Sequence, residues 1–187
     1  MINLANSLTF SRIFLTAFFM VSVLLPGVWF KFAALTFFLM ASLTDYFDGW
    51  AARRFNQASP LGALMDPIAD KVLTISAFLI FVQMSLIPAW MAVLVAARDF
   101  LVTTFRLMMP KDSPNQKAQR GGKNKTVLQF TVIVGVLIFL ILRECSFWND
   151  AWNERAEITI YWTMFVVVLT TLLTGVRYVV KNKYVLG

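Results

Sequence analysis

Long apolar stretches, separated by short polar breaks, leave this chain one natural medium to fold in. A membrane-crossing helix needs about 20 mostly apolar residues. Six segments meet that requirement: 7–26, 32–53, 61–83, 88–108, 126–145 and 157–178. In hydrocarbon every backbone polar group must find its partner within the chain, so these segments are expected to be helices. Pro26-Gly27 ends the first, while Pro60 and Pro88 open the third and fourth, where the missing N–H costs little. The longest polar break runs from Pro110 to Lys125, and 146–156 reads as a short loop. Composition agrees: charged residues make up 14% of the chain, against about 25% in soluble domains. The first segment has no Lys or Arg before Arg12 and no clean small-x-small cleavage site, so it is expected to be retained. The expected architecture is one all-α integral membrane domain over residues 1–187, with six transmembrane helices.

The charge distribution orients it. Lys and Arg concentrate on the cytoplasmic side of membranes. With both termini inside, that side receives Arg12, Arg53, Arg54, Lys111, Lys117, Arg120, Lys123, Lys125, Lys181 and Lys183, and the other side Lys31, Arg143 and Arg155. A net charge of +7 would suggest nucleic acid in a soluble protein. Here the basic residues flank apolar spans, so anionic membrane lipids are the expected neighbours and no nucleic acid is.

What is missing narrows the chemistry. The chain has no histidine and one cysteine, Cys145. That excludes Ser-His-Asp and Cys-His catalysis, the usual zinc sites and an internal disulfide. Catalysis must use carboxylates, Lys or Arg, hydroxyls, or a metal held by oxygen. Cys145 is expected to have no catalytic role. The Trp residues at 90, 148, 152 and 162 read as interface belts, and the Met residues as gap-fillers.

Against this background, Leu43–Leu73 stands out. It carries Asp45, Asp48, Asp66 and Asp70 in or beside two apolar spans. Asp45 and Asp48 are spaced i, i+3, with Ala52 on the same stripe. Gly62, Asp66 and Asp70 are spaced i, i+4, i+8. Two antiparallel helices joined by a short turn can face these stripes toward each other, in a polar cavity open to the cytoplasm. A carboxylate at membrane depth costs at least about 2.5 kcal/mol, and four together repel. Either they take up protons or cations bind. All-oxygen ligands select Mg²⁺, Mn²⁺ or Ca²⁺, and four aspartates suit two metals better than one. Gly49 and Gly62 serve either close helix packing or the approach of a ligand to the backbone. Arg53 and Arg54 are rim anchors by default, although Arg53 can also clamp a phosphate.

Taken together, these residues read Asp45-x-x-Asp48-Gly49-x-x-Ala52-Arg53, eight residues, Gly62-x-x-x-Asp66-x-x-x-Asp70. This resembles the signature of the CDP-alcohol phosphatidyltransferase family at every specified position. Asn6-x-x-Thr9-x-x-Arg12 resembles a pattern these enzymes often carry near the start. Gly122-Lys123-x-Lys125-Thr126-x-x-Gln129 and the segment from Ala97-Arg98-Asp99 to Arg106 resemble the phosphatidylglycerophosphate synthase branch, which more often has Glu where this chain has Asp99. The resemblance implies transfer of a phosphatidyl group from CDP-diacylglycerol to glycerol 3-phosphate, with release of CMP, in a bacterial cytoplasmic membrane. It implies two divalent cations, Mg²⁺ or Mn²⁺, on Asp45, Asp48, Asp66 and Asp70, with Asp70 also the base. Asn6, Thr9, Gly49, Arg53, Ser59 and Gly62 would line the CDP-diacylglycerol pocket, and family members are often homodimers.

The acceptor carries its own phosphate, for which Arg98, Arg106, Lys123 and Lys125 are the expected cations. The plain alternatives are a structural pair with Asp99 for Arg98 and solvated charge for the other three. Lys71 either balances cavity charge or extends toward the interface. Rival readings are the same reaction with another acceptor (yielding cardiolipin, phosphatidylserine or phosphatidylinositol phosphate), a cation transporter built on the aspartates, and an intramembrane aspartyl protease.

Overall fold

The computed structural model describes the backbone of residues 4–55, 60–108, 122–145 and 149–181, and the side chains of 11–44, 71–105, 126–145 and 149–180. Six α-helices follow one another: α1 (Leu4–Leu24), α2 (Val28–Phe55), α3 (Pro60–Gln83), α4 (Ala89–Met108), α5 (Gly122–Arg143) and α6 (Asp150–Lys181). Among the described residues all regular structure is helical. Each helix overlaps one expected apolar segment, but α2, α5 and α6 begin ahead of theirs, α5 at Gly122 within the expected polar break.

Helix ends follow from local chemistry. Gly27, at φ 106°, makes the turn after α1, a conformation that favours glycine. Lys31 then reaches back from α2 and donates to the carbonyls of Val23 at 2.6 Å and Leu25 at 2.8 Å. A cation at a helix C-terminus satisfies orphan carbonyls and meets the negative end of the dipole. The end of α3 is a Schellman turn. Leu86 N–H donates to Phe81 O at 2.9 Å, Ser85 N–H donates to Val82 O at 2.9 Å, and Ser85 takes the left-handed position at φ 59°. Leu86 and Phe81 are both buried beneath it.

The start of α6 corrects one expectation. The stretch 146–156 reads as a loop, yet the helix begins at Asp150. Asn149 caps it, its side-chain oxygen accepting from Trp152 N–H at 3.0 Å, and Asp150 places negative charge in the first turn. The exposed polar turn that includes Glu154, Arg155 and Glu157 extends the helix beyond its apolar part. Residues 146–148 lie outside the described residues.

Packing divides the helices into two groups of three. α1 lies along both α2 and α3, and α6 lies along both α4 and α5; contacts of α3 with α4, and of α5 with α2 and α3, join the groups. The shared core contains Phe19, Phe38, Phe78, Phe81, Leu137 and Met164. Large apolar side chains also point outward around the bundle, Trp29 being 81% exposed and Phe14 65%. Such a surface suits lipid rather than water. Among the described residues, α5 over Thr126–Arg143 and α6 over Asp150–Val180 are long and apolar enough to cross a membrane. Shorter apolar runs occupy Ser11–Leu24, Val28–Thr44 and Lys71–Gln83.

Candidate active site

The aspartate signature falls on two consecutive helices. Asp45 and Asp48 lie on α2, Asp66 and Asp70 on α3. The link between them, 56–59, lies outside the described residues. α2 and α3 touch each other and both pack against α1. At about 1.5 Å per residue, Asp45 is about 15 Å and Asp48 about 10 Å from the end of α2, and Asp70 about 15 Å and Asp66 about 10 Å from the start of α3. The two pairs therefore sit at matching distances from those two helix ends. α1 packs on both helices, and its first turns carry Asn6 and Thr9.

Arg106 lies near the end of α4, and Lys123 and Lys125 in the first turn of α5. The side chains of Asn6, Thr9, Asp45, Asp48, Gly49, Arg53, Gly62, Asp66, Asp70, Arg106, Lys123 and Lys125 lie outside the described residues, as does Ser59 altogether. The donor set that the signature offers a metal is all oxygen, because the chain has no histidine and its one thiol, Cys145, stands just past the end of α5. That chemistry fits a hard divalent ion.

Of the expected site residues, Arg98 is the one with a described side chain. It is buried on α4 and faces α6. Its Nε donates to Thr171 O at 3.0 Å, one terminal nitrogen to Thr174 Oγ1 at 2.9 Å, and the other to Asp99 Oδ1 at 3.1 Å. Gly175 makes room for it: a Cβ there would stand 2.8 Å from Arg98 Cγ. These contacts build the structural pair with Asp99 and add an anchor on α6, while the planar guanidinium keeps further N–H donors.

Asp99 collects partners from several helices. Its side chain is 3% exposed. Besides Arg98, its carboxylate accepts from Gln129 Nε2 of α5 at 3.3 Å, and it stands 4.0 Å from Lys71 Nζ of α3. Sequence alone attaches no settled role to Lys71 or Gln129 and none to Thr171, Thr174 and Gly175. Asp99 itself is visible as an ionisable group inside an apolar span, which marks it for attention. Its partners Lys71 and Gln129 are not, because they arrive from helices distant in sequence.

Comparison with known proteins fits this arrangement. The chain matches the CDP-alcohol phosphatidyltransferase family over residues 2–168. It is 35% identical over 150 residues to the CDP-diacylglycerol–glycerol-3-phosphate 3-phosphatidyltransferase of Bacillus subtilis, covering 74% of this chain and 78% of that protein. It is 32% identical over 178 residues to the protein of the same name from Escherichia coli K12, covering 91% of each. With the aspartate signature on two consecutive helices and a family match across nearly the whole length, the chain belongs to the CDP-alcohol phosphatidyltransferase family.

Proposed function

We propose that this enzyme is a phosphatidylglycerophosphate synthase, transferring phosphatidyl from CDP-diacylglycerol to glycerol 3-phosphate and releasing CMP. The carrying observation is the similarity to two bacterial enzymes of that printed name over most of the chain. In this reading six helices cross a bacterial cytoplasmic membrane, both termini and the active site face the cytoplasm, and a homodimer is the assembly.

Asp45, Asp48, Asp66 and Asp70 would hold two divalent cations, Mg²⁺ or Mn²⁺, whose chemistry is to neutralise the diphosphate and stabilise the departing CMP. Asn6, Thr9, Gly49, Arg53, Ser59 and Gly62 bind the nucleotide and diphosphate; the glycines let the ligand lie against the helices. Arg106, Lys123 and Lys125 receive the acceptor's phosphate at the cytoplasmic end of α4 and α5, and Arg98, two turns from Arg106 on α4, contributes its remaining N–H donors. Asp70 takes the proton of the attacking hydroxyl. The acceptor oxygen bonds to the phosphatidyl phosphorus, the bond from that phosphorus to the bridging oxygen breaks, and CMP leaves with the electron pair.

The test offers purified enzyme CDP-diacylglycerol and Mg²⁺ or Mn²⁺ with glycerol 3-phosphate, serine, inositol phosphate or phosphatidylglycerol. CMP release with glycerol 3-phosphate supports the reading; release only with another alcohol overturns the acceptor. Ion flux in liposomes without lipid turnover would favour a transporter instead. Arg106→Ala should raise the KM for glycerol 3-phosphate more than that for CDP-diacylglycerol, and an equal rise in both would place Arg106 elsewhere.

A further inference from the structure

We infer that Asp99 and Lys71 form a positioning pair that fixes the aspartate-bearing helix group against the group carrying the acceptor's cations. This inference rests on the proposed reaction. Its structural basis is the polar junction at Asp99, where Lys71 of α3, Arg98 of α4 and Gln129 of α5 meet one carboxylate.

Depth supports the assignment. At about 1.5 Å per residue, Lys71 lies about 16 Å along α3 from its start, Asp99 about 14 Å from the end of α4, and Gln129 about 10 Å along α5. Lys71 and Asp99 are thus about as far from their helix ends as Asp45 and Asp70 are from theirs. Arg106 lies about 10 Å further along α4, and Lys125 about 6 Å back along α5, toward the same end. The junction therefore lies deeper from these helix ends than the basic rim does.

Connectivity supports it too. α1 braces α2 and α3, so the two aspartate pairs are held together within one helix group. Arg98, through Thr171, Thr174 and the gap at Gly175, fastens α4 to α6 in the other. Asp99 joins the two. If neutralising a buried carboxylate were its whole task, the adjacent Arg98 would suffice, and an apolar residue would serve packing as well. Instead the carboxylate also engages α5 and faces the ammonium of Lys71, the residue that follows Asp70. Breaking the pair leaves the metal and nucleotide side braced by α1 but lets α3 shift against α4 and α5, so the hydroxyl no longer lines up with its base. Small displacements of that kind are costly in rate.

The test compares the full chain with Lys71→Met, Asp99→Asn, the double variant and Lys71→Arg, in lipid micelles with Mn²⁺. Each single variant should lower kcat and raise the KM for glycerol 3-phosphate about tenfold, with the Kd for CDP-diacylglycerol within about twofold of wild type. The double variant should be no worse than the poorer single one, since each single change already removes the Lys71–Asp99 pair, Asp99→Asn weakening the contacts with Arg98 and Gln129 besides. Lys71→Arg should recover most of the activity. Multiplying losses, a matching loss of CDP-diacylglycerol affinity, or unchanged kinetics for Lys71→Met would overturn the inference. Should Asp99→Asn fail to fold, Lys71→Met against Lys71→Arg decides it, since Lys71 is partly exposed at 18%. If wild-type enzyme prefers another alcohol, the acceptor assignment fails by itself, and the same split measured with that alcohol decides the positioning role.

Discussion

Replacing Gly175 with alanine sets helix propensity against packing, and packing should win. In an unconstrained helix interior this change is worth about 1 kcal/mol in favour of alanine. Here the new methyl would stand 2.8 Å from Arg98 Cγ, 3.2 Å from Nε and 3.6 Å from Cδ. Ordinary carbon contacts lie near 3.5–4.0 Å, so something must yield by roughly 1 Å. Arg98 cannot simply swing aside, because the atom in the way is near the root of its side chain and its guanidinium is fixed at three points. Losing one hydrogen bond to a charged partner costs about 1.5–3 kcal/mol. Set against the propensity gain, Gly175→Ala should destabilise by about 0.5–2 kcal/mol. Gly135 on α5 is the control, since a Cβ added there would meet nothing within 4 Å; there alanine should stabilise by up to about 1 kcal/mol. Thermal unfolding of both variants in the same detergent measures the contrast. If Gly175→Ala proves as stable as Gly135→Ala, Arg98 is not held as described.

Three further outcomes follow from other parts of the molecule. Lys31→Met should destabilise by about 1–3 kcal/mol, because the carbonyls of Val23 and Leu25 lose their buried donor; thermal unfolding in detergent reads it, and an unchanged midpoint would deny the cap. Ser85→Gly should stabilise by about 0.5–1 kcal/mol, as relief of a left-handed residue outweighs the extra chain entropy of glycine; a lower melting midpoint would contradict it. Asp70→Asn should abolish turnover while CDP-diacylglycerol still binds, which equilibrium binding beside a CMP-release assay would establish, and near-normal turnover would remove Asp70 as the base.

Much of the helix layout is legible in the sequence because apolar runs bounded by Pro and Gly carry the constraint of hydrocarbon directly. Pro60 opens α3 and Gly27 turns the chain after α1, both as local chemistry requires. The first turns of α6 are not legible: Glu154, Arg155 and Glu157 make them too polar to register as a span, although Asn149 is a good cap. The aspartate positions on α2 and α3 follow from spacing, since helical periodicity alone stacks Asp66 under Asp70. Arg98 shows where such reading stops. Its pairing with Asp99 is visible as a neighbour, but Thr171, Thr174 and Gly175 lie more than seventy residues away in sequence. Nothing local announces which helices will meet, and Lys71 meets Asp99 only once α3 and α4 pack.

The central claim is that a diphosphate lipid can enter an aspartate-lined site in this bundle only when divalent cations lie between the two sets of negative charge. Enzyme stripped of metal with a chelator and dialysed should release no CMP from CDP-diacylglycerol and glycerol 3-phosphate, and adding back Mg²⁺ or Mn²⁺ should restore release. Undiminished CMP release from the stripped enzyme would contradict the account.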